Sequence, residues 1–440
     1  MPIAAIRVCA FDVGTSGVKA GYFCGDELRA ATTVTLKTQT RANHVEMRGH
    51  DVLHAINKAV RTLCVEFGQP DCLAYDTFST GLVLYDDHAK PLSPIFTHQD
   101  RRSIAAARDI VAHFGEKHLL NTVANLPYPG GIGASTLRWL CQNDRAILRR
   151  ARVGQTSSLI AAHLTGRHII DPSQAAFTGL YNFKRRTWAD DIARYVGVTA
   201  AQLPEIVWAD TIVGRLRDSV ARALHIRPGT PLIGGFVDTS AAVMLTPMHA
   251  GQLVHNSGST DVLALCLDKP RPAAHYLSRP VGVGAIHPPR WLAASTIAAA
   301  GAAIEWLRQT MFCELPLDDY YHRLAAACKS PASPLEFTTG LAGSRTAIEQ
   351  PTALLKGLSL STTRDDIMRA LAASLTAESA RRYADLAALT TIAPRVFTIG
   401  KASTLASAMH RAWPSRHTFT AIKGDALAGL NVLAQRVMSH

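Results

Sequence analysis

AFDVGTSGVKAGYF, residues 10–23, runs apolar, breaks at a Thr–Ser pair between two glycines, and resumes as a second apolar run. It reads as strand, tight turn, strand. Glycine lets the backbone approach a ligand closely, and successive N–H groups with nearby hydroxyls form an anion cradle. LVHNSGSTDVLALC, residues 253–266, has the same reading. Gly14 and Gly258 each open one half of the chain. Two such cradles facing each other across a cleft would hold a polyphosphate from both sides. Shortly before the second lies GGFVDTSAAV, residues 234–243, with an acidic residue after a glycine pair. The combination points to a nucleotide-dependent phosphotransferase.

Outward from the first turn, residues 6–12, 18–23 and 30–37 read as a three-strand meander. Residues 51–66 have helical apolar spacing, with Asp51 placed to cap. Residues 71–85 return to strand character and end in a hairpin tip at DDHAKP. Residues 101–116 and 134–150 look helical, and 171–190 reads as an irregular or hairpin region. A hinge is expected near 244–251. Thr363 and Asp366 form a capping box, and Ile367, Leu371 and Leu375 recur at helical spacing, which predicts a helix from Thr363 to about Leu389. RVFTIG, residues 395–400, reads as a late strand ending in a glycine turn.

A chain of 440 residues is long enough for two domains with sizeable cores. It is 48% hydrophobic and 18% charged, as an ordinary globular protein is. Apolar stretches such as 292–304 are too short to cross a bilayer. The opening MPIAAIRVCAFD carries Arg7 and Asp12 within its apolar run, which predicts a first strand rather than a signal peptide. The net charge of +12 is scattered, with small clusters such as Lys184–Arg185–Arg186. No zinc-finger spacing, stacking motif or basic arm accompanies it, so it reads as solubility and as steering of an anionic ligand rather than as a nucleic-acid surface. The eight cysteines form no CxxC pair and read as small buried hydrophobes in a reducing, cytoplasmic setting. None of the 18 histidines pairs with zinc-site spacing. Neither a Walker A string nor GxGxxG occurs.

Two carboxylates carry the chemistry. Asp12 ends the first strand, where it could reach a magnesium ion beside bound phosphate or simply bond its own turn. Asp238 follows Gly234–Gly235 at a strand-to-helix junction, where it could accept a hydroxyl proton or cap the following helix.

With these pieces placed, the chain resembles the FGGY family of carbohydrate kinases, in particular pentulose kinases such as xylulokinase. FDVGTSGVKA resembles the family's first phosphate motif, and VEM at 45–47 its V-E-Q-D segment. GLVLYDDHAKPLSPIFTHQDRRS, residues 81–103, is similar to the G-L-V-L-L-D…W-N-D-x-R block. LTGRHIIDPSQAAFTGLYNFKRRTW, residues 164–188, is similar to L-T-G…T-D-x-S-x-A-S…T-x-L-x-D…W. GGFVDTSAAV, NSGST and AAAGAAIEWLR follow in family order. The resemblance implies an α/β fold of two ribonuclease-H-like domains, the actin-like ATPase arrangement, around a central cleft. Residues 1–244 would mainly bind sugar and 245–440 mainly ATP. It assigns the catalytic base to Asp238 and the magnesium-side carboxylate to Asp12. It places ATP against Gly14, Thr15, Ser16, Lys19, Gly258, Ser259, Thr260, Gly301, Gly400 and Lys401. It places the sugar against Ser79, Thr80, Asp100, Arg102 and Asp238. The expected ligands are ATP, Mg2+ and a ketose or polyol, xylulose-like first, with no membrane or nucleic-acid partner and with room for a homodimer.

The chain departs from the family in three places. Pentulose kinases carry Q-M-H-G where this chain has Phe78–Ser79–Thr80–Gly81, so Thr80 stands for the sugar-contacting histidine. His98 replaces the tryptophan of W-N-D. The G-G-G-A-K-S loop near the adenosine is shortened to Gly400–Lys401–Ala402–Ser403. These changes leave the kinase class standing and the sugar open. The alternative reading is a degenerate kinase fold that binds sugar or nucleotide and regulates something else.

Overall fold

A computed structural model describes residues 5–285, 289–330, 333–399 and 404–440. Gly400 and Lys401 therefore lie outside the described residues. Two six-stranded sheets organise the chain, and each is built the same way. In the first, Arg7–Val13, Gly17–Cys24 and Glu27–Thr35 form an antiparallel meander. Cys72–Thr77 then pairs parallel to Arg7–Val13, Pro231–Val237 parallel to Cys72–Thr77, and Ile212–Arg215 closes the edge. In the second, Leu253–Ser257, Asp261–Leu267 and Trp291–Ile297 form the meander. Arg395–Ile399 and Thr418–Ala421 follow in parallel, and Leu277–Pro280 flanks the other edge. The central strand Arg7–Val13 is apolar on both faces and buried on both, as a strand covered by helices must be. Glu27–Thr35 is an edge strand and largely polar or small.

The described elements follow the expected ones closely and differ where long-range partners intervene. The helix predicted at 51–66 spans Gly49–Phe67, and its N-cap is Arg48; Asp51 sits in the first turn instead. The helix predicted over 134–150 divides at Asp144, whose side chain accepts from Ile147 N and starts a second helix. The region 171–190 resolves into a short helix, Pro172–Ala176, capped by Asp171, and a small hairpin, Tyr181–Asn182 with Thr187–Trp188. The capping box at Thr363 and Asp366 opens the helix Arg364–Ala387 as expected.

Gly234 and Gly235 shape the end of the Pro231–Val237 strand. Their φ values are +100° and +90°, and a Cβ on Gly234 would stand 2.2 Å from the Tyr75 carbonyl oxygen. The pairing shifts there, from Gly234 opposite Tyr75 to Phe236 opposite Asp76. Such a bulge re-aims the residues beyond it, here Val237 and Asp238.

A five-stranded sheet of Gln39–Arg41, His44–Met47, Ile95–Thr97, Gly81–Tyr85 and Arg152–Gln155 forms an outer layer on the first half. The closing helix, Ala426–Met438, comes from the end of the chain but lies on the first sheet. Leu427, Leu430, Leu433 and Ala434 share a core with Val8, Ala10 and Ile233. A division at residue 244 by chain order therefore assigns this helix to the second half, although it packs on the sheet of the first.

Candidate active site

Three neighbouring parallel strands end on the same edge, and each apolar run is followed by an aspartate. Asp12 is near the end of Arg7–Val13, Asp76 near the end of Cys72–Thr77, and Asp238 directly follows Pro231–Val237. Asp12 and Asp76 are register partners. Ligands of open α/β sheets bind outside the carboxyl ends of the strands, so this edge is where chemistry belongs.

Asp238 opens the helix Asp238–Val243, but Val237 occupies the N-cap position and Asp238 lies in the first turn. Its Oδ1 accepts from Thr239 N at 2.5 Å and Thr239 Oγ1 at 3.0 Å. Its Oδ2 has no hydrogen-bond donor among the described residues. One oxygen is thus fixed and the other is available to a proton. Two guanidiniums feel its charge. Arg279 is buried and donates to Ser240 Oγ at 2.7 Å; burial lowers it to about 10 against the pull of Asp238 and Asp171. Arg345 donates to Ser79 O at 2.9 Å, and burial lowers it likewise against Asp238.

Burial pushes the Asp12 carboxyl up to about 6. Asp238 and Asp425 add to the rise, while a hydrogen bond with Asp76 and the charge of Lys19 oppose it. Asp76 is 0% exposed, and burial, then Asp12, Asp238 and Asp425, drive it well above the carboxylate range. Neither of its oxygens has a donor among the described residues. Lys19 is the register partner of Asp12 on the other side and ion-pairs with Asp425.

The two glycine turns are built differently. In the first, Gly14 N donates to Gly17 O at 2.9 Å, Thr38 Oγ1 to Thr15 O at 3.1 Å and Leu36 N to Ser16 O at 2.9 Å. In the second, Gly258 and Ser259 are exposed while their carbonyls dock on the start of the helix Gly301–Met311. Ala300 N donates to Ser259 O at 2.9 Å and Gly301 N to Gly258 O at 3.2 Å. A Cβ on Gly301 would lie 2.6 Å from Gly258 O, so Gly301 holds the turn by its lack of a side chain. Thr260 Oγ1 donates to Ala298 O at 3.3 Å. Behind the turn, Asp261 is fixed by His255 at 2.6 Å, which meets His410 at 2.7 Å.

The residues expected on the sugar side are mostly engaged with protein. Thr80 is 2% exposed and donates to Gly131 O at 2.5 Å. Asp100 is fully buried; it accepts from Val45 N at 2.9 Å and from Arg102 Nη2 at 2.7 Å. Arg102 also pairs with Glu46 and lies over Phe96, 4.8 Å from the ring centroid. Asp100 and Arg102 thus brace the outer sheet. Segment 343–350 reaches back from the second half: besides Arg345, Gln350 accepts from Arg101 Nε at 2.9 Å. The sequence reading missed Asp76, Arg279 and Arg345. Asp76 carried a signal, since CAFDV at 9–13 and LAYDT at 73–77 share one pattern. The arginines carried none, because their partners are remote in sequence.

No group of three or more His, Cys, Asp or Glu residues among the described residues is arranged to hold a metal unaided. No described helix is long and apolar enough to cross a membrane. All eight cysteines are free, with Cys9, Cys64, Cys72 and Cys266 buried and Cys313 exposed.

Comparison with known proteins identifies the family. The pattern "FGGY family of carbohydrate kinases, N-terminal domain" matches residues 7–244, and that of the family's C-terminal domain matches residues 253–409. A glycerol kinase from Thermococcus kodakarensis is 23% identical over 58% of this chain and 51% of its own, so the chain spans about half the length of that relative. A xylulose kinase from Staphylococcus epidermidis is 24% identical over 84% of this chain and 75% of its own. The solved gluconate kinase from Lactobacillus acidophilus superposes with a TM-score of 0.86 at 18% identity, covering 99% of this chain and 90% of its own. That likeness establishes the actin-like ATPase fold.

Proposed function

The chain belongs to the FGGY family of carbohydrate kinases, and from that premise we propose that it transfers the terminal phosphoryl group of ATP to a hydroxyl of a small sugar or polyol. The observation that carries the reading is Asp238, with one carboxylate oxygen fixed by Thr239 and the other available. That free oxygen accepts the proton of the attacking hydroxyl, which a carboxylate can do when the protein positions donor and acceptor in line. The turns at Gly14–Gly17 and Gly258–Thr260 cradle the phosphates from the two halves, with Gly301 supporting the second. The division between a mainly sugar-binding and a mainly nucleotide-binding half falls near residues 244–252. Lys19, paired with Asp425, is within reach of the phosphate side through its register with Asp12.

The residues present fit a magnesium ion: Asp12 and the donor-less oxygens of Asp76 are hard oxygen ligands of the kind it takes alongside phosphate. When bound there, magnesium would neutralise charge on the transferring phosphoryl group. The chain's own residues do the rest. Arg345 ties the second half to the Ser79 carbonyl, which closes the acceptor side against water. Asp100 and Arg102 act as positioning residues that hold the 95–102 strand and loop in place.

The acceptor class is a ketose or polyol, and Thr80 is the residue that tests what sets the choice among them. Thr80→His replaces a hydroxyl committed to Gly131 O with an imidazole. A site built around one hydrogen-bond pattern rejects another strongly, so acceptor preference should move towards xylulose-like ketoses. Relative kcat/KM over a panel of ketoses, polyols and aldonates measures this. An unchanged profile would show that Thr80 does not shape the acceptor site and would leave the kinase reading intact. The kinase reading itself is tested by ADP formation in that panel: turnover should depend on one acceptor, and equal ATP turnover with and without every acceptor would contradict it.

A further inference from the structure

We propose that Asp76 is a second protein ligand beside Asp12, and that the pair binds a hard divalent cation of the magnesium class before any nucleotide arrives. The inference rests on reading this sheet edge as a phosphotransferase site and goes beyond it by making Asp76 a direct ligand and by adding an order of binding.

The observation is a side chain in a costly position. Asp76 is fully buried, and neither carboxyl oxygen finds a donor among the described residues. A buried carboxyl left without partners costs several times what an ordinary hydrogen bond returns. The groups that face it are themselves acidic: Asp12, Asp238 and Asp425. The nearby cation, Lys19, is spent on Asp425. Gln174, whose amide lies at the same strand end, donates to Thr77 Oγ1 at 2.7 Å. The protein therefore supplies Asp76 with no donor but the carboxyl of Asp12, its register partner and the carboxylate already argued to face the phosphates. Register partners on adjacent parallel strands project to the same face. Asp12 and Asp76 thus present their oxygens together at the strand ends.

Two carboxylates suit magnesium, which favours one or two of them and completes its octahedron with water and substrate phosphate. A single carboxylate would need the nucleotide to bring the ion; a pair can hold it unaided. The order follows: cation first, then the nucleotide phosphates onto the free positions.

The test is a calorimetric titration of the nucleotide-free full chain with Mn2+, together with thermal melting in its presence. Wild type should bind the ion and melt higher with it. Asp76→Asn, which keeps the shape and removes the charge, should weaken Mn2+ binding by more than about tenfold, since even outer-shell partners of a metal are worth about 10–100-fold. The same variant without metal should melt no lower than wild type, which separates lost binding from lost folding. Asp76→Ser serves if the asparagine is poorly folded. No Mn2+ binding by nucleotide-free wild type, or binding by Asp76→Asn within about twofold of wild type, would overturn the proposal; the first result would mean that Asp12 and Asp76 merely share a proton. A wild-type chain that phosphorylates an acceptor yet binds no Mn2+ alone would overturn the pair and leave the kinase reading standing.

Discussion

Asp238→Ala should abolish phosphoryl transfer while the chain folds and still binds acceptor. The side chain is partly exposed and opens a short helix whose N-cap is Val237, so its loss removes no cap. Among the described residues its hydrogen bonds are to the neighbouring Thr239 alone, and water can take its place on both groups. The fold cost is therefore small. The chemical cost is large, because removing a positioned base typically slows a reaction by about 10²–10⁴-fold. Steady-state kcat, with acceptor binding followed by calorimetry, gives both halves of the expectation. A variant that keeps more than about a third of wild-type kcat, far outside that range, would remove Asp238 from the role of base.

Gly429→Ala should damage both stability and turnover from a position outside the cleft. A Cβ at Gly429 would sit 1.9 Å from the carbonyl oxygen of Ala241 and 2.6 Å from its carbon. Both are backbone atoms of the helix Asp238–Val243, so no side chain can swing away. Alanine is the better helix former by about 1 kcal/mol, which offsets part of the clash. Overpacking of a close contact costs about 1–3 kcal/mol, so the melting temperature should fall. The helix that must shift carries Asp238, and a misplacement of about 1 Å can cost about 10²-fold in rate. We expect kcat to drop by tenfold or more, on the order of that effect, with ATP affinity little changed because neither glycine turn is touched. A Gly429→Ala variant with wild-type melting and kcat would show that the two helices do not transmit position to the base.

The parts of this arrangement that were legible in the sequence are those fixed by local chemistry. The turns at Gly14 and Gly258 declare themselves through glycine and hydroxyl residues between apolar runs. The helix at Arg364–Ala387 declares itself through the Thr363–Asp366 box. What escaped was set by partners far away in the chain. Asp76 repeats the pattern around Asp12, but only the register of the two strands places it beside Asp12. That Asp100 and Arg102 also hold Val45 N and Glu46 is set by residues more than fifty positions away. The closing helix is plainly amphipathic, but an apolar stripe does not say which sheet it covers, and it covers the first. Burial of Thr80 against Gly131 is likewise invisible without the fold. Positions 400 and 401, expected near the nucleotide, lie outside the described residues.

The central claim is transfer to an acceptor hydroxyl at the Asp238 edge, and its most direct measurement follows the phosphate itself. The full-length chain is incubated with ATP labelled in its terminal phosphoryl group, Mg2+, and each member of a panel of ketoses, polyols and aldonates. Products are resolved by charge and mass. The account predicts a labelled phosphate ester of at least one acceptor, formed in step with ADP, and only slow release of free phosphate when no acceptor is present. Acceptor and nucleotide that bind but yield no labelled ester would contradict it and favour a regulatory kinase fold. Label appearing as free phosphate at the same rate with or without acceptor would contradict it in favour of an ATPase.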